Sequence, residues 1–362
     1  MTRRATIVLG IVLSIVLLFY ALRDVSTAEL IGHLGQANFW LLFAATVVAT
    51  LTFHLRAIRW RVLLAPTGYQ LPFVSRYAAV CIGFMVNNVL PARIGEFARA
   101  YSLSRIEPVG ISAALASLVV ERLLDAIILI TFLVFAILFG VGEASVSGAV
   151  SGIFAAVVIG VGIVLVTLGI LVRSPNRFLR FVERWFHRFG PRSLAEKVNI
   201  ILISFVAGLG ALKHARVFVR AFLWSVVVWG WNAFSFYLGF LAFGILEPGI
   251  PGALFLQTVI SFAVAIPSTP GFFGPFEAAT RFALEIYNIE PSRIISFAAG
   301  YHLLTFIPIT ILGIWYMRKL GISRDELGHS DEVARVESDP KQVEDFSSLH
   351  SDRDRLTLSQ PE

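Results

Sequence analysis

Glu121 and Asp125 stand in an otherwise apolar run, Leu118-Val-Val-Glu-Arg-Leu-Leu-Asp125, with Arg122 between them. On a helix an i,i+4 spacing puts both carboxylates on one face, with Arg122 beside it rather than opposite. A second charged group, Asn87, Asn88, Arg93, Glu96 and Arg99, surrounds Pro91 and Gly95. A third, Glu277 and Arg281, follows the run Pro267-Ser-Thr-Pro-Gly-Phe-Phe-Gly-Pro-Phe. An arginine fork beside amides and freed backbone donors is suited to holding a phosphate. These ten residues are therefore the candidate substrate-binding set, and the substrate they point to is an anion.

Each group also has a plainer reading. Glu121 and Asp125 need cationic counterparts, for which Arg93, Arg99, Arg122 and Arg76 are available, and a buried structural ion network would satisfy them. Glu277 and Arg281 could form a local i,i+4 salt bridge. Trp229, Trp231, Asn232, Ser235 and Tyr237 could line a headgroup cavity or form an interface belt. His302, beside Tyr301, could bind a headgroup, titrate or simply pack.

The elements that must position these residues lie in hydrocarbon. The chain has 362 residues, 57% hydrophobic and 15% charged, with a mean hydropathy of +0.77. A soluble domain carries roughly 25% charged residues, and apolar runs of about 20 residues span a bilayer. The fold class expected is an all-α polytopic membrane protein. Residues 321–362 hold 11 acidic and 5 basic residues, a net of −6, so the +6 chain carries +12 in residues 1–320. This divides the chain into a membrane domain, 1–320, and an acidic, disordered cytoplasmic tail, 321–362.

Six full crossings are read at about residues 5–22, 39–55, 113–140, 149–171, 221–243 and 294–316. Basic clusters at Arg3-Arg4, Arg56 to Arg61, Arg173 to Lys197 and Arg318-Lys319 are placed in the cytoplasm, with both termini. The first run is read as a retained span rather than a cleaved signal. Residues 178–212, basic and aromatic by turns, suit helices at the interface. Segments 72–105 and 250–291 remain. Each begins and ends on one side, and each carries Pro and Gly mid-length, so each is expected to be a re-entrant or broken helical hairpin. Ile82-Gly-Phe-Met-Val, then Pro91 and Gly95-Glu96, parallels Ile260-Ser-Phe-Ala-Val, then Pro270, Gly274 and Glu277. Entry from opposite faces would make this an inverted repeat, with the polar tips meeting near Glu121 and Asp125.

The single cysteine, Cys81, excludes an internal disulfide or thiolate cluster. No nucleophile elbow, phosphate-gripping loop or zinc helix is present, so no catalytic residue, metal or cofactor is expected, and nothing suggests nucleic acid as a partner.

Asn87-Asn-Val-Leu-Pro-Ala-Arg-Ile-Gly-Glu-Phe-Ala-Arg99, Glu121-Arg-Leu-Leu-Asp125 and Pro270-Gly-Phe-Phe-Gly-Pro-Phe-Glu277 together resemble the lysylphosphatidylglycerol synthase transmembrane region, or flippase-like domain family. The resemblance covers about residues 5–320. Larger members continue into a cytoplasmic aminoacyl transferase domain, so the part implied here is the membrane one, which moves lipid between leaflets. It implies Arg93, Glu96, Arg99, Glu121, Arg122, Asp125 and Glu277 as a polar core. The expected function is a lipid flippase for an anionic phospholipid or polyprenyl-phosphate-linked lipid in a bacterial or archaeal cell membrane. The alternative is a non-transporting subunit that binds lipid or scaffolds a glycosyl- or aminoacyl-transferase. A lipid-modifying enzyme and a second copy of the chain are the protein partners considered.

Overall fold

The computed structural model describes residues 3–90, 94–140, 215–265, 269–323 and 326–327. The expected crossing at 149–171, the interfacial stretch 178–212 and nearly all of the acidic tail lie outside the described residues, as does Arg93.

Ten α-helices make up the described chain: α1 (Arg3–Leu22), α2 (Thr27–Gln36), α3 (Phe39–Leu64), α4 (Phe73–Val89), α5 (Gly95–Ile106), α6 (Ile111–Gly140), α7 (Ala215–Ala242), α8 (Gly249–Ala263), α9 (Pro275–Glu285) and α10 (Pro291–Lys319). α3, α6, α7 and α10 are long and apolar enough to cross a membrane. Phe39, Trp40, Leu138, Phe139 and Ile311 are exposed on these spans, as expected where the solvent is lipid.

Two boundaries differ from the sequence reading. The first run does not end in a loop: α1 is followed at an 80° bend by α2. Asp24 takes a left-handed φ of 62°, and Ser26 caps the new helix by accepting from the Glu29 N–H at 3.5 Å. The second crossing does not stop at Leu55 but continues to Leu64. Arg56 and Arg59 are thereby carried into the protein interior, and Arg59 is fully buried.

α3 and α7 run antiparallel over their whole length. The Asn38 N–H donates to the Ala242 carbonyl at 2.7 Å, the Ser235 hydroxyl to Ala45 at 2.8 Å and the Trp231 indole to Val48 at 2.9 Å. The Ser235 and Trp231 side chains thus stitch helix to helix, a use the headgroup-cavity reading did not anticipate.

The two interrupted segments are helix–break–helix hairpins. In the first, α4 and α5 fold back so closely that a Cβ on Gly83 would sit 2.8 Å from both the Gly95 carbonyl oxygen and the Arg99 Cβ. In the second, α8 returns as α9 through a short 3-10 turn, Pro270–Phe272. Its pivot, Gly274, has φ +96° and lies against the backbone of Ser14 on α1. Conformation and space both demand glycine there.

α10 shows how the hairpins oppose each other. Tyr77 of α4 meets Tyr316, and Asn88, near the first tip, donates to Thr310 at 2.8 Å. Glu277, at the start of α9, meets His302 at 2.7 Å, and Gly271 lies against Phe306. The first hairpin therefore enters from the C-terminal end of α10 and the second from its N-terminal end. Their tips adjoin between His302 and Thr310, where the 3-10 turn touches α4. Pro308 lies at this level and leaves the Leu304 carbonyl without its usual helical donor. Glu121, near which the tips were expected to meet, is reached from the first hairpin by Arg99, and both tips are held by α10.

Gly83→Ala should lower the melting temperature of the purified protein, since overpacking against a backbone carbonyl costs about 1–3 kcal/mol. Gly230→Ala on α7, where a Cβ meets nothing within 4 Å, should hold or raise it. Differential scanning fluorimetry of the two variants in one detergent makes the comparison.

Candidate functional site

The buried charges converge from α3, α5 and α6 onto one face of α7. Glu121 is fully buried and Asp125 nearly so. Arg99, on α5, grips Glu121 bidentately at 2.9 Å and 3.1 Å. Arg59, on α3, bridges the two acids, 3.0 Å from Glu121 and in a hydrogen bond to Asp125. Arg122 reaches Glu121 at 2.8 Å and Asp125 at 3.3 Å. Arg56 stands 3.7 Å from Asp125. From α7, the Trp229 indole donates to Asp125 at 2.8 Å, and Ser225 accepts from Arg59 at 3.0 Å.

Aromatic rings cover these cations where no oxygen does. The Arg99 guanidinium lies 3.9 Å from the Trp60 ring centre, and Arg56 lies between Phe84 and Trp229. Such stacking holds a cation at low desolvation loss. The helical period explains the convergence: Thr52, Arg56, Arg59 and Leu63 share the inward face of α3, as Glu121, Leu124, Asp125 and Ile128 share that of α6.

The charges do not balance. Four guanidinium groups face two carboxylates, leaving a surplus of two positive charges among the described residues. Glu96, half-buried on the first turn of α5, lies within electrostatic reach of Arg122 but makes no ion pair among the described residues. Counting it still leaves one cation over. Several buried donors also lack hydrogen-bond partners among the described residues: Nε and Nη1 of Arg56, Nε of Arg59 and Nε of Arg99. The Arg122 side chain is 42% exposed, so the network reaches the protein surface.

The other expected site residues fall elsewhere. Asn87 closes the first hairpin, accepting from the Gly95 N–H at 2.8 Å. Asn88 bonds α10 as described. Arg76 donates to the Leu71 and Ala57 carbonyls and not to the acids. Glu277 and Arg281 are not partners. Glu277 accepts from the Gly274 N–H at 2.6 Å, satisfying a buried donor at the start of α9 that has no intrahelical acceptor, and its other oxygen meets His302. Arg281 pairs with Glu285 at 2.6 Å and donates to the Tyr20, Ala21 and Arg23 carbonyls at the end of α1. That arginine is a helix cap, which accounts for its burial.

Arg56 and Arg59 belong to the network and were missed as site residues in the sequence, and Trp229, read there as a cavity or belt residue, joins them. The available signal was the i,i+3 spacing of the two arginines within an uninterrupted apolar period, Ala57, Trp60 and Leu63. Beyond the network, a cleft of about 540 Å³ opens between α3 and α7, lined by Arg61, Tyr69, Gln70, Arg220 and Trp224 among others.

Residues 7–313 match the family described as the lysylphosphatidylglycerol synthase TM region. The chain is also 29% identical over 348 residues to a Haloferax volcanii protein named glycosyltransferase AglD. That alignment covers 89% of this chain and 55% of the relative, so the chain spans about half that relative's length. A UPF0104 membrane protein of Methanocaldococcus jannaschii is 25% identical over 337 residues, covering 89% of this chain and 96% of the relative. One from Pyrococcus horikoshii is 24% identical over 331 residues, covering 86% and 96%.

Glu121→Gln should destabilise the protein by about 3–5 kcal/mol, because it leaves Arg59 and Arg99 buried with too little negative charge. Adding Arg99→Gln should recover part of that loss. Denaturant-dependent unfolding of the parent, both single variants and the double variant measures the coupling; a double variant as unstable as the sum of the singles contradicts the network.

Proposed function

Because the chain belongs to the lysylphosphatidylglycerol synthase transmembrane-region family, we propose that it translocates an anionic phospholipid or polyprenyl-phosphate-linked lipid across a cell membrane, with both termini cytoplasmic. The carrying observation is the surplus of guanidinium groups, three of the four buried, with unused donors. A cationic surplus at membrane depth is unfavourable unless something anionic completes it. A lipid phosphate supplies that charge and several acceptor oxygens, and bidentate arginines fit its geometry.

In this reading Glu121 and Asp125 preorganise the arginines, and Arg56, Arg99 and Arg122 offer the phosphate their remaining donors. Glu96 edges the same site from the first hairpin. The cleft at Arg61 and Arg220 gives an anionic headgroup a first contact beside the network. The acyl or prenyl chains stay in lipid, so the main barrier to unaided flipping, desolvation of the phosphate, is removed.

A second reading is supported by the likeness to part of a protein named glycosyltransferase. The chain would then be a non-transporting membrane subunit that presents a lipid to a glycosyl- or aminoacyl-transferase. It predicts stable co-purification with such an enzyme and no lipid movement by the isolated chain.

Reconstitution in liposomes with labelled lipids decides between them. The parent should speed the redistribution of labelled anionic lipid between leaflets. Arg56→Gln should slow it about tenfold or more, the value of one charge-assisted hydrogen bond, while the protein stays folded because cations still outnumber acids. Unchanged leaflet distribution for every lipid tested, or an Arg56→Gln rate equal to the parent's, would refute the translocase reading.

A further inference from the structure

The pair Glu277–His302 is buried, titratable and unused by the phosphate site. His302 is 6% exposed and Glu277 is 5% exposed, and Nδ1 of the imidazole lies 2.7 Å from Oε1. Rings of Phe276 and Phe273 flank the imidazole at 4.1 Å and 4.8 Å. Oε2 accepts from the Gly274 N–H at 2.6 Å. One carboxylate thus ties the tip of the second hairpin to α10, the helix on which the two tips adjoin.

We infer that Glu277 and His302 form a proton-binding site that couples the movement of the hairpin tip, and so of lipid, to a transmembrane proton gradient; the coupling to lipid rests on the translocase reading above. With Glu277 ionised, Nδ1–H of a neutral imidazole donates to Oε1 and the pair carries one negative charge. A proton from water adds at Nε2, for which no partner occurs among the described residues. The pair becomes imidazolium and carboxylate, with no net charge. The neutral pair is the less costly one in a low-dielectric setting, and its hydrogen bond is charge-assisted at both ends. Proton loading therefore clamps the tip to α10, and proton release loosens it.

Other ionisable groups on the surrounding elements are placed elsewhere among the described residues, His54 of α3 on the Tyr77 ring and Tyr287 beside Gly252. On α9, Arg281 and Glu285 serve the end of α1 with Tyr20. On α10, the Tyr301 hydroxyl is on Ser235, Arg293 lies near the helix start, and Arg318 and Lys319 lie at its far end. α8 has no ionisable side chain. On α4, Arg76 bonds carbonyls, Tyr77 meets Tyr316, and the Cys81 thiol is on Tyr77. Glu29 and His33 of α2 bond Ser292 and Glu290. A histidine with a single carboxylate partner is thus the group placed to take up the proton.

Liposomes holding the parent, with membrane potential clamped and a pH difference of one unit, provide the test. One proton per lipid drives the steady-state leaflet ratio to about tenfold from its value without a gradient. His302→Gln keeps an N–H donor for Glu277 but cannot become a cation, and should equilibrate lipid to the gradient-free ratio. Lipid movement by the parent with no gradient effect overturns the coupling and leaves the translocase reading intact. So does a His302→Gln protein that still responds. If the parent moves no lipid, the translocase reading and its coupling both fail. Infrared difference spectra of the solubilised protein between acid and neutral pH then read the proton site directly. Imidazole protonation bands lost in His302→Gln support it, and identical spectra overturn it.

Discussion

Two carboxylates on an apolar helix govern how the N-terminal half is assembled. Glu121 and Asp125 can sit at membrane depth only if cations reach them, and the cations come from two other segments, α3 and α5. That requirement fixes the rotation of α3, the placement of the first hairpin against α6 and the polar seam on α7. Arg59 contributes most, since it touches both acids and Ser225 from a position with no exposure at all. Apolar packing then fills in around the charges, with Trp60, Leu103 and Leu124 in one continuous cluster. The C-terminal half has its own cluster around Phe240, Leu256 and Phe297.

The hairpins solve a different problem. Backbone that stops short of spanning must have its broken ends covered by protein. Here each tip is covered by α10 and by the other hairpin. Asn87 bonds the N–H that opens α5, and Glu277 does the same at α9, so each returning arm starts on a satisfied donor. The motifs that run parallel in the sequence also occupy matching places: Gly95-Glu96 opens α5, and Gly274 with Glu277 opens α9.

The sequence was most legible where a residue type had one physical outlet. Runs of apolar residues could only be spans, and Pro with Gly in their midst could only be breaks, so the hairpins were read correctly. The acids were recognised as a shared helix face because i,i+4 geometry is local. Their partners were harder to read. Arg56 and Arg59 look like a positive-inside marker because charge alone does not say whether a helix continues beneath it; the continuing period through Trp60 and Leu63 did say so. The pairing of Glu277 with His302 joins separate helices and left no local trace. Arg281 showed its spacing to Glu277, while its partners are Glu285, one turn the other way, and three backbone carbonyls, which every residue has.

Those carbonyls belong to Tyr20, Ala21 and Arg23, some 260 positions earlier in the chain. A ribosome feeding this chain into a membrane releases α1 long before α9 exists. The end of α1 is therefore without its guanidinium cap through most of synthesis, and the turn into α2 is stabilised late. A segment made early is among the last to reach its final shape, so this part of the assembly runs against the order of synthesis.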